Sequence, residues 1–135
     1  MGGGARNVIF RDSAIRNTLK QAFIFTLDYN DPNAKLDYQR STIPGQFRDI
    51  RVADVSIENA QGKAIEVKGD SQHNAWHQGL VFERVRFSGP AKAQIDGLKD
   101  SLFDHVSFSE HGAANPWQVT GSVGLTFKDV QPPLP

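Results

Sequence analysis

Two carboxylates close to a phenol, Asp28 and Asp31 on either side of Tyr29 in the run LDYND, are the first residues of this chain whose types and spacing could do chemistry. A carboxylic acid and a carboxylate facing one bond are the groups of general acid–base hydrolysis. Asp31 precedes Pro32, however, and Asp-Pro is a common turn initiator, so the plainer reading of the pair is two loop carboxylates in water. His73 and His77 in HNAWH have the i, i+4 spacing that on a helix sets two imidazoles on one face, as in zinc sites. The segment lacks the Glu of that motif and no third ligand is apparent, so neither a metal nor another cofactor is expected. His105 and His111 have no Ser or Cys at a meaningful spacing. The chain has no cysteine, which excludes thiolate nucleophiles, thiolate zinc sites and disulfides. Arg48, Arg51, Arg84, Arg86, Lys92 and Lys99 could hold carboxylates, Arg by a bidentate fork, but most alternate with apolar residues and read as the outer face of a sheet.

The elements that must position these residues form a repeat. Five segments, NVIFRDSAI from Asn7, DIRVADVSI from Asp49, GLVFERVRF from Gly79, DSLFDHVSF from Asp100 and GLTFKDV from Gly124, share one template. Its inward positions are Val8, Phe10, Ser13 and Ile15, recurring as Ile50, Val52, Val55 and Ile57, as Leu80, Phe82, Val85 and Phe87, and as Ser101, Phe103, Val106 and Phe108. The steps of two, three and two residues join two stretches of strand alternation across a phase break, as where a chain turns a corner with both sides pointing inward. The break holds mostly polar pairs: Arg11-Asp12, Ala53-Asp54, Glu83-Arg84, Asp104-His105 and Lys128-Asp129. A further strand follows in AFIFTL from Ala22, KAIEV from Lys63, AKAQID from Ala91 and PWQVTG from Pro116. Asn17, Asn59 and Gly89 stand two residues past the last template position, where a left-handed backbone costs Asn and Gly least.

This pattern predicts an all-β fold, a right-handed parallel β-helix of about four to five coils, as one domain over residues 1–135. The polar stretch 28–45 reads as a projecting loop and 131–135 as a Pro-rich tail suited to the end of a stack. A leucine-rich solenoid would need a recurrent Leu and Asn frame, and a β-sandwich would not repeat one template at irregular intervals.

GGGARNVIFRDSAI followed by AFIFTLDYND resembles the part of glycoside hydrolase family 28, the polygalacturonases, that follows its Arg-Ile-Lys motif. The resemblance is specific in Gly2–Phe10 and Phe23–Tyr29 and runs more loosely, through the coil pattern, to about Val130. It implies a pectin-binding β-helix. The family inverts at the anomeric carbon with aspartates of an Asn-Thr-Asp motif and an Asp-Asp pair, a Gly-His-Gly histidine, and the Arg and Lys of Arg-Ile-Lys, and none of these motifs occurs here. The resemblance also implies a substrate contact for Tyr29, whose ring could stack on a sugar and hydrogen bond through its hydroxyl, against the plainer reading of a loop Tyr on its own coil. Trp76 is the more exposed candidate sugar platform, whereas Trp117, in a strand column, reads as core.

Composition narrows the remaining readings. Fifteen basic residues balance fifteen acidic ones, so neither nucleic acid nor an anionic membrane is an expected partner. No apolar run could span a bilayer and no secretory leader is visible, so the location of the chain is unknown, while the resemblance implies a secreted or periplasmic, bacterial-like parent. The expected function is that of a C-terminal fragment of a polygalacturonase-like enzyme, binding pectin or polygalacturonate without hydrolysing it, and whether the chain is itself an enzyme stays open. The alternatives are a free-standing carbohydrate-binding or self-assembling module, or a glycosidase whose carboxylates, such as Asp28, Asp31 and Asp37, meet only in an oligomer. The first coil, around Val8 and Phe10, is expected to be truncated at its N-terminal side and to leave strand edges open, which predicts self-association there.

Overall fold

The computed structural model describes residues 4–26 and 45–135. Asp28, Tyr29, Asp31 and Asp37 lie outside the described residues, as does all of the expected 28–45 loop except Gly45. The chain forms strands β1 (Gly4–Arg16), β2 (Phe23–Thr26), β3 (Gln46–Glu58), β4 (Lys63–Lys68), β5 (His77–Ser88), β6 (Lys92–Asp96), β7 (Leu98–Ser109), β8 (Trp117–Thr120) and β9 (Val123–Lys128). Long and short strands alternate. The long ones pair in parallel in the order β1-β3-β5-β7-β9, and the short ones in the order β2-β4-β6-β8. Each long strand, its turn and its short strand make one coil of a right-handed parallel β-helix, the hand that parallel crossovers take.

The template read from the sequence is the register of the stack. Phe10 pairs with Val52, Val52 with Phe82, Phe82 with Phe103 and Phe103 with Phe127. Ile15, Ile57, Phe87 and Phe108 form the next column, and Ser13, Val55, Val85 and Val106 the one between. Where Ser101 replaces an apolar residue, its hydroxyl accepts the Leu80 N–H at 3.0 Å and donates to the Lys99 carbonyl at 2.9 Å, so the polar group is satisfied.

A left-handed residue recurs every five positions along each long strand: Asn7, Asp12 and Asn17; Asp49, Asp54 and Asn59; Gly79, Arg84 and Gly89; Asp100, His105 and Glu110; and Gly124 and Asp129. Each is the second residue of a three-residue step between inward side chains. A positive φ rotates the strand by one corner, so that five residues rather than four separate equivalent faces and the interior side stays inside. The column Asn17, Asn59 and Gly89 agrees with the sequence expectation, with φ of 58°, 53° and 98°. The two other columns come from the structure. Most of these sites hold Asn, Asp or Gly, which tolerate the conformation best; Arg84, His105 and Glu110 do not follow that preference.

Aromatic stacking fills the interior. Phe82 and Phe103 stack at 5.3 Å between centroids, Phe103 and Phe127 at 5.0 Å, and Phe87 and Phe108 at 4.7 Å. Trp117 meets Phe103, Phe108 and Phe127 edge-on, so it is a core residue, as its strand column implied. Its indole N–H donates to the Pro132 carbonyl, Asn115 donates to that of Pro133, and Gln131 exchanges backbone hydrogen bonds with Phe108 and Val106. These bonds hold the 131–135 segment against the last coil. At the opposite end β1 lies outermost, with Val8 42% and Phe10 39% exposed, whereas their partners one coil further along, Ile50 and Val52, are buried.

Candidate functional site

The short-strand sheet presents two outward rows in register: Ile24, Glu66, Gln94 and Gln118, then Thr26, Lys68, Asp96 and Thr120. They alternate with the inward residues Phe25, Ile65, Val67, Ala93, Ile95 and Trp117. Period-two alternation thus makes a polar outer face on a dry inner one.

Beside this face lies the β4–β5 connection. A 3-10 turn, Ser71–His73, is capped by Asp70, whose carboxylate accepts the His73 N–H at 3.2 Å and meets His73 Nδ1 at 2.6 Å. Asn74 takes the left-handed conformation and accepts the Trp76 indole N–H at 3.1 Å. Gln46 donates to the Trp76 carbonyl at 2.7 Å. Tight coil contact underlies this turn: a Cβ on Gly97, which has φ of +70°, would meet Gly69 Cα at 2.6 Å, so only glycine fits. Trp76 is therefore held half-exposed at the rim. Both anchor points of the segment that carries Tyr29 border the same turn, because Thr26 pairs with Lys68 on one side and Gln46 bonds Trp76 on the other.

Glu66 and Asp70 are both shifted toward the ionised form. Burial raises Glu66, but hydrogen bonds from Gln21 at 2.5 Å and Lys63 at 3.2 Å outweigh it and leave the carboxyl below its ordinary value. The hydrogen bond from His73 lowers Asp70. On the long-strand sheet Arg84 lowers Asp54 through a fork at 2.6 and 2.9 Å.

His73 and His77 do not converge. His73 is exposed beside Asp70, whereas His77 points into the core in the column of Phe47 and Leu98, fully buried. Its Nδ1 accepts the Phe47 N–H at 3.1 Å, so the proton sits on Nε2, which donates to the Lys68 carbonyl at 3.1 Å. Loss of hydration pushes the His77 pKa down, against the opposing pull of the Lys68 carbonyl. The sequence signal for this role was present: the inward template extends one three-residue step back, from Ile50 to Phe47 and from Leu80 to His77. His111 bonds the Ala114 carbonyl within its turn.

Of the basic candidates, Arg51 pairs with Glu83 at 2.6 Å and Arg84 with Asp54. Arg48, Lys92 and Lys99 lie on the strand faces, as their alternation implied. Arg86 lies elsewhere, in an open groove of about 770 Å³ along the corner column, lined by Asp12, Asp54, Arg84, His105 and Asp129 on one side and by Ser56, Ser107 and Gln131. The sequence showed the column but not the groove, which needs the bend angle set by the positive φ values. At one end of it His105 meets Asp104 at 2.5 Å and Asp129 at 3.7 Å.

Parallel coils, in-register aromatic columns and a polar short-strand rim define the class, a right-handed parallel β-helix. Within that class the chain is 38% identical over 121 residues to the exo-poly-alpha-D-galacturonosidase of Dickeya chrysanthemi, covering 87% of this chain and 20% of that protein. A family 28 exopolygalacturonase of Yersinia enterocolitica has the same fold, with a TM-score of 0.77 and 36% identity over 90% of this chain and 22% of that one. No family profile matches the chain. By sequence and fold it is homologous to a part of the family 28 polygalacturonases, and it spans about a fifth of the length of the relatives it matches.

Proposed function

We propose that this chain forms part of a polygalacturonate-binding surface of a polygalacturonase-like glycoside hydrolase and that by itself it does not hydrolyse the polymer. The observation that carries the reading is the homology to a part of the family 28 polygalacturonases in a chain whose sequence lacks that family's catalytic motifs. Inverting hydrolysis needs one carboxylic acid kept protonated by a raised pKa beside one carboxylate. Glu66, Asp70 and Asp54 all shift the other way, and the family's catalytic motifs do not occur in the chain. The short-strand rim with Trp76 is the binding surface, and Tyr29, outside the described residues, is assigned to binding on the sequence resemblance alone.

Reducing-end release and binding, measured on the same polygalacturonate, test this together. The expected result is no release of reducing ends, with binding weakened by roughly three- to tenfold in Trp76→Ala and in Tyr29→Ala. Hydrolysis that disappears in Asp28→Asn or Asp31→Asn would overturn the reading in favour of a site made by those carboxylates.

The exposed β1 edge supports self-association as a second part of the proposal. Val8 and Phe10 are uncovered in columns that are dry one coil further along, and Ile9 is 66% exposed beside them. Among the described residues no strand pairs with the outer edge of β1, and an edge of this length is a template for another strand. Sedimentation velocity is expected to show concentration-dependent association that Val8→Asp abolishes. A monomer at every concentration would refute it.

A further inference from the structure

We infer that the corner groove is a second binding site, for a short uronic-acid oligosaccharide, with Arg86 taking a sugar carboxylate. The groove is separate from the short-strand rim, since every residue that lines it belongs to a long strand, except Asp129 just past β9 and Gln131.

Its floor is a row of open hydrogen-bonding groups. Ser56 pairs in register with Arg86, Arg86 with Ser107, and Ser107 with Gln131. At the strand spacing of about 4.8 Å this row runs for roughly 14 Å, the span of a few sugar rings. Among the described residues, the side chains of Ser56, Arg86, Ser107 and Gln131 meet no partner, while the neighbouring Arg84 is committed to Asp54 and Glu83. Arg86 is therefore the cation of the groove that is available to a ligand, and the small serines on both sides leave room for a planar carboxylate to reach its fork.

The wall decides between classes of anion. Asp12, Asp54 and Asp129 stand along it. A polyphosphate, whose charges lie closer together than one per sugar ring, would bring several of them against these carboxylates. A uronic-acid chain brings one carboxylate to each ring and several hydroxyls, which the wall carboxylates and His105 can accept and donate to. The backbone gives independent support: Arg84 and His105 occupy left-handed corners that Asn, Asp or Gly fill in most other coils, a conformation that costs such residues about 1–2 kcal/mol. Backbone strain of this kind gathers where a side chain is needed in place.

The test is a titration of the isotope-labelled 135-residue chain with trigalacturonate, a neutral galacto-oligosaccharide and sulfate, followed by amide chemical shifts. Trigalacturonate is expected to move the amides of Ser56, Arg86 and Ser107 as a set distinct from those of Trp76 and Gln94. Arg86→Gln is expected to weaken the groove set about tenfold or more, and Arg86→Lys by less, while Trp76→Ala leaves it unchanged. Groove amides that stay still, that respond equally to the neutral sugar, or that keep their affinity in Arg86→Gln would overturn the proposal. Sulfate binding as tightly as the uronate would also overturn it, as an adventitious ion only. Failure of the rim set alone would count against the function proposed above and leave the groove standing.

Discussion

Replacing Phe103 with alanine is expected to remove ~3–5 kcal/mol of stability, the largest single loss among the core positions considered. Phe103 is fully buried, stacks on Phe82 at 5.3 Å and on Phe127 at 5.0 Å, and takes the edge of Trp117 at 5.6 Å. Its removal empties a ring-sized volume in the middle of a column. The neighbours are bound to their own coils by the ladder and cannot collapse into it, so both the transfer and the cavity contributions are lost in full. Phe10→Ala, in the same column at the β1 end, is the internal control. Its ring is 39% exposed and has one ring partner, Phe23, so a distinctly smaller loss is expected in urea midpoints at constant m-value. Equal losses would mean that the β1 coil is as well covered as the middle of the stack, and the self-association argument would fall with that result.

His77 carries the second large effect. Two backbone groups of different coils, the Phe47 N–H and the Lys68 carbonyl, hydrogen bond to its ring. His77→Ala removes both hydrogen bonds, at about 1 kcal/mol for each, and leaves a cavity where the fully buried ring stood. The same geometry makes stability depend on pH. The native pKa is depressed and the unfolded one is near 6.5, so the unfolded chain takes up the proton first as pH falls. This contribution is fully present above about pH 6.5. It is lost as pH drops below that value toward the native pKa, at up to ~1.4 kcal/mol per pH unit. A proton on Nδ1 would also face the Phe47 N–H, donor against donor. Chemical denaturation from pH 7.5 to 5.5 is expected to show this slope in the parent chain. It should be reduced in His77→Gln, which keeps an acceptor and a donor but does not titrate. An unchanged slope would show that the pH dependence does not come from His77.

The solenoid was legible because its physics is periodic. A coil buries the same cross-section each time, so Phe10, Phe82, Phe103 and Phe127 recur at one template position, and the step of three after Phe82 marks the corner at Arg84. Loop residues carry no such constraint. HNAWH reads as two histidines on one helical face only while its conformation is unknown; folded, Asp70 caps a single turn around His73 while Gly79 begins the next corner, and His77 enters the core. Trp117 was placed correctly because it shares a strand column with Ala93 and Ile65, whereas Trp76 has no column and its exposure is set by Asn74 and Gln46. Tyr29, Asp28 and Asp31 lie outside the described residues, so their part in binding rests on the sequence and on where their segment is anchored.

By itself the sequence determined the class of fold, the inward columns and the lack of the family's catalytic motifs, since each is a matter of residue type at a repeated or contiguous spacing. The tertiary structure alone decided which polar residues meet across coils: Arg84 with Asp54, Glu66 with Gln21, His77 between Phe47 and Lys68, and Arg86 with no ion-pair partner among the described residues. The reason is geometric. Inward positions are fixed by the need to bury apolar area, which every coil repeats, whereas the partner of an outward charge depends on loop lengths that differ from coil to coil and on the corner angle that each left-handed residue imposes.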